Sequence, residues 1–352
     1  MNTKRGLTNI TEKILNKRGH ALETRAWSPD KLVAVSGYYW RSFALQAAVK
    51  LGVFTAIGGE ELAGDDIARR LNAKGRGVAM LLNVLVAMNL LLKKGDRYSN
   101  TPSGMSLLTK DSPDYMGHII MHHHHLTLSW LKLDEAVKTG NPMRVRSSGS
   151  DEEARESFLM GIFNIATNLA PRLVNTIDLA GRRHLFDLGG GPGTYAIHFC
   201  LNNPHLRATV YDLPTSQTYA MKAIERFGLS DRINFVAGNY LKEDIPESYD
   251  VAWLSQILHA QGPEDCQRII GKAASVLEPG GLLVIHEFIL DNTMDGPLHP
   301  ALFSLNMLLG TENGRSYSEV EIMRMLARGG GRHIQRIPFK SPNDSGIVIG
   351  VV

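Results

Sequence analysis

The sequence predicts an α/β protein, with a doubly wound, mostly parallel sheet in its C-terminal half behind a mostly helical N-terminal domain. Three observations predict this. Strand-like runs at 184–189, 207–213, 233–239, 249–256 and 281–288 alternate with amphipathic or polar stretches that can form crossover helices. A glycine-rich turn follows the first of these runs directly. The N-terminal third carries helical periodicity and heavy apolar content instead, over 31–60, 65–71 and 78–92. The chain finishes with strand patterns at 333–339 and 346–352, joined by a linker at 340–345 that is too short for a parallel crossover. An antiparallel edge pair on the parallel sheet, with the last strand antiparallel, is therefore expected.

The first strand, from His184, runs through Asp187 into glycines 189, 191 and 193 and then into a helix. Such a turn lets the backbone approach a ligand closely, and the helix behind it directs free N–H groups at the same space. The spacing is G-x-G-x-G. A dinucleotide fingerprint would need its third glycine at 194, where threonine stands. The second strand ends at Asp212, where a carboxylate can hold two ribose hydroxyls of either cofactor type. The third ends at Asn239 and Tyr240, an amide and a ring that can hydrogen-bond and stack on adenine. This is the order of parts in S-adenosylmethionine-dependent methyltransferases, and it favours that cofactor over NAD or a bare structural turn.

In doubly wound sheets, ligands lie beyond the carboxyl ends of the strands. The fourth strand is followed there by His259, the fifth by Glu287. Methyl transfer from a sulfonium is a displacement, and a hydroxyl is a poor nucleophile until its proton leaves. A neutral imidazole can take the proton of a phenol as the new bond forms. His259 is thus the candidate general base, with Glu287 fixing its tautomer through the other ring nitrogen. The plainer alternatives are a histidine packed near a loop and an ordinary strand-end ion pair.

On these residues the chain resembles the plant and bacterial small-molecule O-methyltransferases, which join a dimerising winged-helix domain to a Rossmann-like methyltransferase sheet. The likeness covers essentially the whole length. It implies an S-adenosylmethionine-dependent O-methyltransferase acting on a small aromatic hydroxyl compound, with S-adenosylhomocysteine as product. It assigns the cofactor to Asp187, Gly189, Gly191, Gly193, Asp212, Leu213, Gly238, Asn239, Tyr240 and Ser255, and the base to His259. It further implies that Met160, Phe163 and Asn164 lie near cofactor and acceptor, with Asn306 and Met307 on the opposite wall, although core packing accounts equally well for each Met and Phe. Three positions depart from the family pattern. Asn239 replaces a common aspartate, Ala260 replaces the aspartate that often follows the histidine, and Gly314 stands where a second supporting acid is usual. Either Glu287 orients His259 alone or Glu312 substitutes. Some relatives bind the cofactor without donating its methyl, which keeps a non-methylating function as an alternative.

A helix, turn, helix and short wing at Arg97-Tyr98-Ser99 raise another class of function, a winged-helix DNA-binding regulator. Its would-be recognition helix at 78–92 is apolar nearly all round, a pattern of burial rather than groove reading. With 38 basic and 35 acidic residues the excess is +3, weak for phosphate binding. Homodimerisation through this domain is the expected role, with no nucleic-acid partner. The first 27 residues are polar and mildly basic, a solvated arm or a segment crossing to the partner, without a signal-peptide core.

The expected divisions are a winged-helix-like dimerisation domain at 1–110, a helical linker and pocket roof at 111–180 interrupted at 147–151, and the methyltransferase domain at 181–352. Of the histidines at 118 and 122–125, only His118, His122 and His125 share a helical face; with no acid in register, pocket lining or aromatic packing is expected and no metal. No apolar run reaches the roughly 20 residues needed to span a bilayer, and the two cysteines, Cys200 and Cys266, match no metal spacing, so a cytoplasmic setting is expected. The acceptor, and whether oxygen, nitrogen or carbon receives the methyl, stay open at this level.

Overall fold

The computed structural model describes residues 27–243, 245 and 248–352. The proposed N-terminal arm therefore lies, but for Trp27, outside the described residues. In the N-terminal domain, helices α1 (Pro29–Gly37), α2 (Tyr39–Leu51), α3 (Val53–Ile57), α4 (Gly64–Arg70) and α5 (Gly75–Ala87) precede the wing, β2 (Leu91–Lys94) and β3 (Arg97–Asn100). The wing pairs antiparallel, and β1 (Leu62–Ala63) adds to β3. A core of Val53, Phe54, Ile57, Ile67, Leu82 and Leu85 holds these elements together.

Two expectations for this domain are corrected. The run 78–92 is not one helix: α5 stops at Ala87, Asn89 turns the chain at φ 58°, and Leu91 and Leu92 belong to the wing. Nor is α5 buried all round. Val78, Leu82 and Leu85 face the core, while Met80 and Val84 are 55% and 43% exposed. Trp40 on α2 is likewise exposed, at 70%.

Helices α6 (Pro102–Leu108), α7 (Gly117–Trp130), α8 (Leu133–Thr139) and α9 (Glu152–Val174) bridge to the sheet, with a strap across 140–151 that is irregular but for one 3₁₀ turn, Ser147–Gly149. The C-terminal half then alternates β4 (His184–Leu188), α10 (Thr194–Asn202), β5 (Arg207–Asp212), α11 (Gln217–Arg226), β6 (Ile233–Ala237), β7 (Tyr249–Ser255), α12 (Pro263–Ser275) and β8 (Leu277–Leu290). It ends in α13 (Leu298–Gly310), β9 (Tyr317–Ser318), α14 (Glu319–Arg328), β10 (Arg332–Ile337) and β11 (Ser345–Val351).

The main path through the sheet is β10-β11-β8-β7-β4-β5-β6, with β9 beside the end of β8. Strands β8, β7, β4, β5 and β6 run parallel, while β11 is antiparallel to β8 and β10 to β11. β8 starts four residues before the expected strand, because Leu277 pairs with Tyr249 ahead of a register shift around Gly280 and Gly281. Apolar layers cover both faces of the sheet. Leu173, Leu185, Ile197 and Trp253 lie in one, Phe186, Leu254, Ile270 and Ile285 in the other. The order reverses next to β4, which opens the crevice beyond its carboxyl end where such folds take ligands.

Candidate active site

The turn after β4 is built as its glycines require. Gly189, Gly191 and Gly193 all hold left-handed backbone, at φ 68°, 54° and 76°. Gly191 donates its N–H to Asp212 Oδ2 at 2.8 Å, which ties the turn to the end of β5. The other oxygen of Asp212 accepts from Leu213 N–H at 2.6 Å and from the Ser216 hydroxyl at 3.0 Å. Burial raises the pKa of this carboxyl. Tyr240 brings its ring against Gly189, and Gly238 packs on Tyr211. Helix α9 closes the opposite side, with Ile162 Cδ1 3.4 Å from where a Cβ on Gly191 would stand.

Asp187 sits deeper than a ligand contact. It is 1% exposed and accepts the Ala196 N–H at 3.3 Å, so it braces the first turn of α10 from beneath the glycines. Burial pushes its carboxyl up to about 7, and neighbouring Asp212 adds to the shift. A carboxyl whose pKa is raised in the folded protein costs stability as pH rises from its unfolded value towards the folded one. Asp187→Asn removes that cost and keeps an acceptor for Ala196. In the protein without ligand, the Tm of this variant relative to wild type is expected to climb between about pH 4 and pH 7; a flat difference across that window, read by calorimetry, would show that Asp187 is ionised throughout.

His259 lies in a short 3₁₀ turn, Leu258–Ala260, just beyond β7. Its Nδ1 is 2.8 Å from Glu287 Oε2 on β8, and the two residues are 8% and 2% exposed. The same carboxylate accepts the backbone N–H of Leu258 at 2.7 Å and of His259 at 3.3 Å through Oε1. A carboxylate oxygen only accepts, so Nδ1 is the nitrogen that donates to Glu287, and Nε2 is the one Glu287 leaves unengaged. Aromatic rings fix the imidazole plane: Phe303 of α13 meets it edge-on at 4.7 Å and Phe288 stacks at 6.1 Å.

Other expected site residues take different places. Glu312 is exposed and stands outside the hydrogen bonds of His259, so it does not replace a second acid. A side chain at 314 would meet the His259 carbonyl oxygen and Thr311 Oγ1 at 2.5 Å, so close backbone packing accounts for Gly314. The Ser255 hydroxyl turns to His286 Nδ1 at 2.8 Å rather than to the crevice. His286 is buried, which lowers its pKa to about 4, and its Nε2 meets Ser345 Oγ at 2.9 Å. Asn239 uses Oδ1 to accept the Leu241 N–H at 3.0 Å, so its NH₂ is the part of the amide not engaged in that turn.

Phe163 is a core residue, 5% exposed, with Met160 packed against the same layer. Met307 is also buried, at 7%. Asn164, one turn beyond Met160, has a buried Oδ1 with no hydrogen-bond partner among the described residues. Asn306 takes the Arg144 guanidinium, with Nη2 3.2 Å from its Oδ1. The histidines of α7 diverge. His122 packs on Phe158 at 5.2 Å with a pKa lowered to about 3 by burial, while His124 meets Lys50 at 3.1 Å and Gln46 at 3.3 Å.

The residues that sequence reasoning missed come from the strap and from helix faces. Arg146 donates to the Ala260 carbonyl at 2.6 Å and to Gln261 Oε1 at 3.3 Å, clasping the turn that carries His259. Ile162, Phe303 and Arg144 are the others. No motif announces any of them, since each acts through tertiary placement.

Known proteins resemble this chain over most of its length. Residues 134–332 match the O-methyltransferase domain and residues 33–110 the O-methyltransferase dimerisation domain. The chain is 32% identical over 329 residues to 3-hydroxy-5-methyl-1-naphthoate 3-O-methyltransferase of Streptomyces sahachiroi, covering 92% of this chain and 95% of that one. An O-methyltransferase family protein from Burkholderia thailandensis superposes with TM-score 0.83 at 27% identity, covering 93% of this chain and 98% of that one. Human N-acetylserotonin methyltransferase, solved with S-adenosylmethionine, shares the fold at TM-score 0.82 and 24% identity, over 93% of this chain and 98% of that one. The chain therefore belongs to the O-methyltransferase family. It is an S-adenosylmethionine-dependent methyltransferase. Among the described residues no helix is long and apolar enough to cross a membrane.

Proposed function

We propose that this enzyme methylates an aromatic hydroxyl by general-base catalysis, with His259 as the base and Glu287 as its orienting acid. The observation that carries this reading is the buried dyad at 2.8 Å on the ligand edge of the sheet. The residues present fit the cofactor: the left-handed glycine turn leaves space where side chains would intrude, Asp212 offers a carboxylate beside it, and the unpartnered Asn164 Oδ1 can accept a donor. Asp212, Tyr240, the glycine turn and Asn164 would hold it. When bound, the cofactor supplies an electrophilic methyl group on a positively charged sulfur.

The chain does the rest. Nε2 of His259 accepts the hydroxyl proton, and the imidazolium so formed is stabilised by the carboxylate at Nδ1. Glu287 also pins the backbone of Leu258 and His259, and Arg146 holds Ala260 from the other side, so the base is positioned without a second acid. Ala260 and Gly314 are then departures in sequence rather than in function. Glu287→Gln presents an NH₂ to groups that all donate, and kcat is expected to fall about 10- to 100-fold with little change in acceptor KM. Rates unchanged from wild type would remove Glu287 from the mechanism.

The 3-hydroxyl named for the Streptomyces sahachiroi relative favours oxygen as the methylated atom, on a ring bearing a hydroxyl. The working unit is a homodimer joined through residues 1–110, with a roof at 111–180 and the catalytic domain at 181–352, acting in the cytoplasm without nucleic acid or membrane. The exposed flank of α5, with Met80 and Val84, supports a subunit contact over base reading. The direct test is calorimetric titration with S-adenosylmethionine and S-adenosylhomocysteine, followed by methyl transfer to a panel of phenols. Binding with turnover is expected. Tight binding without turnover on any phenol would favour the non-methylating alternative.

A further inference from the structure

We propose that Arg144 is a specificity-determining residue that receives a carboxylate on the acceptor, so that the preferred substrates are aromatic hydroxy acids. The inference rests on the site assigned above, in which the acceptor lies against α13 beside His259. Arg144 belongs to the strap, where the backbone N–H groups of Met143 and Arg144 both donate to the Leu309 carbonyl, at 2.9 and 3.1 Å. That clamps the residue to the last turn of α13. Gly310 makes room for it, since a Cβ there would stand 2.5 Å from the guanidinium carbon.

Few partners serve this cation. Nη2 has the Asn306 carbonyl at 3.3 Å and Asn306 Oδ1 at 3.2 Å, and Nη1 has only the Val145 carbonyl at 3.4 Å. Nε is buried without a partner among the described residues. No carboxylate of the described residues pairs with it, in contrast to Arg315, which holds Glu321 through both of its terminal nitrogens at 3.1 and 2.7 Å. Burial lowers the pKa of Arg144, yet a guanidinium does not discharge in a protein. A largely buried, unpaired charge is unfavourable until an anion meets it. Asn306 fixes the fork, and of its five N–H groups the second on Nη1 and the one on Nε are left without an acceptor that a carboxylate oxygen could supply.

Arg144 and His259 both meet α13. Asn306 lies three residues after Phe303 on α13, on the same helix face about one turn away, and Phe303 touches the His259 ring. An acceptor lying along that face would meet the base at one end and the guanidinium at the other. Burial, with the charge of Arg144 adding to it, keeps His122 on α7 neutral, so it adds no second positive charge beside the guanidinium.

The test uses the full-length protein saturated with S-adenosylhomocysteine, titrated calorimetrically with hydroxybenzoic and hydroxynaphthoic acids and with the carboxamide of each. Wild type is expected to bind its best acid about tenfold or more tightly than the matching amide, as one charge-assisted pair implies. In Arg144→Gln that preference should fall to about one, with amide affinity and S-adenosylhomocysteine affinity unchanged; Arg144→Lys should keep part of it. A wild type that binds no acid more tightly than its amide overturns the proposal, whatever the variants do. So does an acid preference that survives Arg144→Gln, or a loss confined to S-adenosylhomocysteine binding, which would assign Arg144 to the cofactor. Turnover of neutral phenols in any of these cases would leave the methyltransferase reading standing.

Discussion

Replacing His259 with alanine is expected to lower kcat about 10²- to 10⁴-fold while leaving S-adenosylhomocysteine affinity nearly unchanged. The separation comes from where the ring sits. Its described contacts are Glu287 behind it and Phe288 and Phe303 around it, whereas the cofactor residues gather at the ends of β4, β5 and β6. Glu287 keeps two backbone donors, from Leu258 and His259, after the imidazole is gone, so the turn should hold its shape. The readouts are single-turnover rates with a phenol and calorimetry with S-adenosylhomocysteine. A variant that turns over as fast as wild type would leave the dyad a structural ion pair. One that loses cofactor affinity in step with rate would mean that the turn, rather than the base, had failed.

Much of this site was legible because the fold converts short local signals into position. Each parallel strand delivers the residues at its carboxyl end to one edge of the sheet, so Gly189, Asp212, Tyr240, His259 and Glu287 could be collected from five separated stretches without knowing any contact. The strand patterns themselves are short, largely apolar runs bounded by turns, which is the form a buried parallel strand takes. The hidden part is tertiary. Phe163 and Ile162 are neighbours on α9 with the same apolar character, yet the sheet buries the first in the core and the glycine turn meets the second. Arg144 and Arg146 sit in a strap with no periodicity to read, and their roles come from the groups that lie opposite them. Local propensity misled in one place: apolar residues continue past Ala87, but Asn89 in left-handed backbone ends the helix and sends Leu91 into the wing. The family's acid at 314 was a pattern carried over from relatives, and only the backbone beside His259 explains why glycine stands there.

Gly191→Val is expected to weaken S-adenosylmethionine and S-adenosylhomocysteine binding by about 100-fold or more while the fold survives. Two costs combine. At φ 54° a β-branched residue is strained, on the order of 1–2 kcal/mol against an ordinary residue in ordinary backbone. Relaxing that strain turns the Gly191 N–H away from Asp212 and so loosens the carboxylate from the turn. The side chain itself adds bulk on the side closed by Ile162, where a Cβ already stands 3.4 Å from the Cδ1. Strain alone would lower Tm without selecting against the ligand, and Gly191→Ala separates the two. Alanine carries most of the backbone penalty with one carbon, so it should lose part of the stability but much less of the affinity than valine does. If valine and alanine weaken binding equally, the backbone conformation matters and the space does not. Normal S-adenosylhomocysteine binding by Gly191→Val, with an unchanged Tm, would mean that the turn is a structural connection and that the cofactor is held elsewhere on the sheet edge.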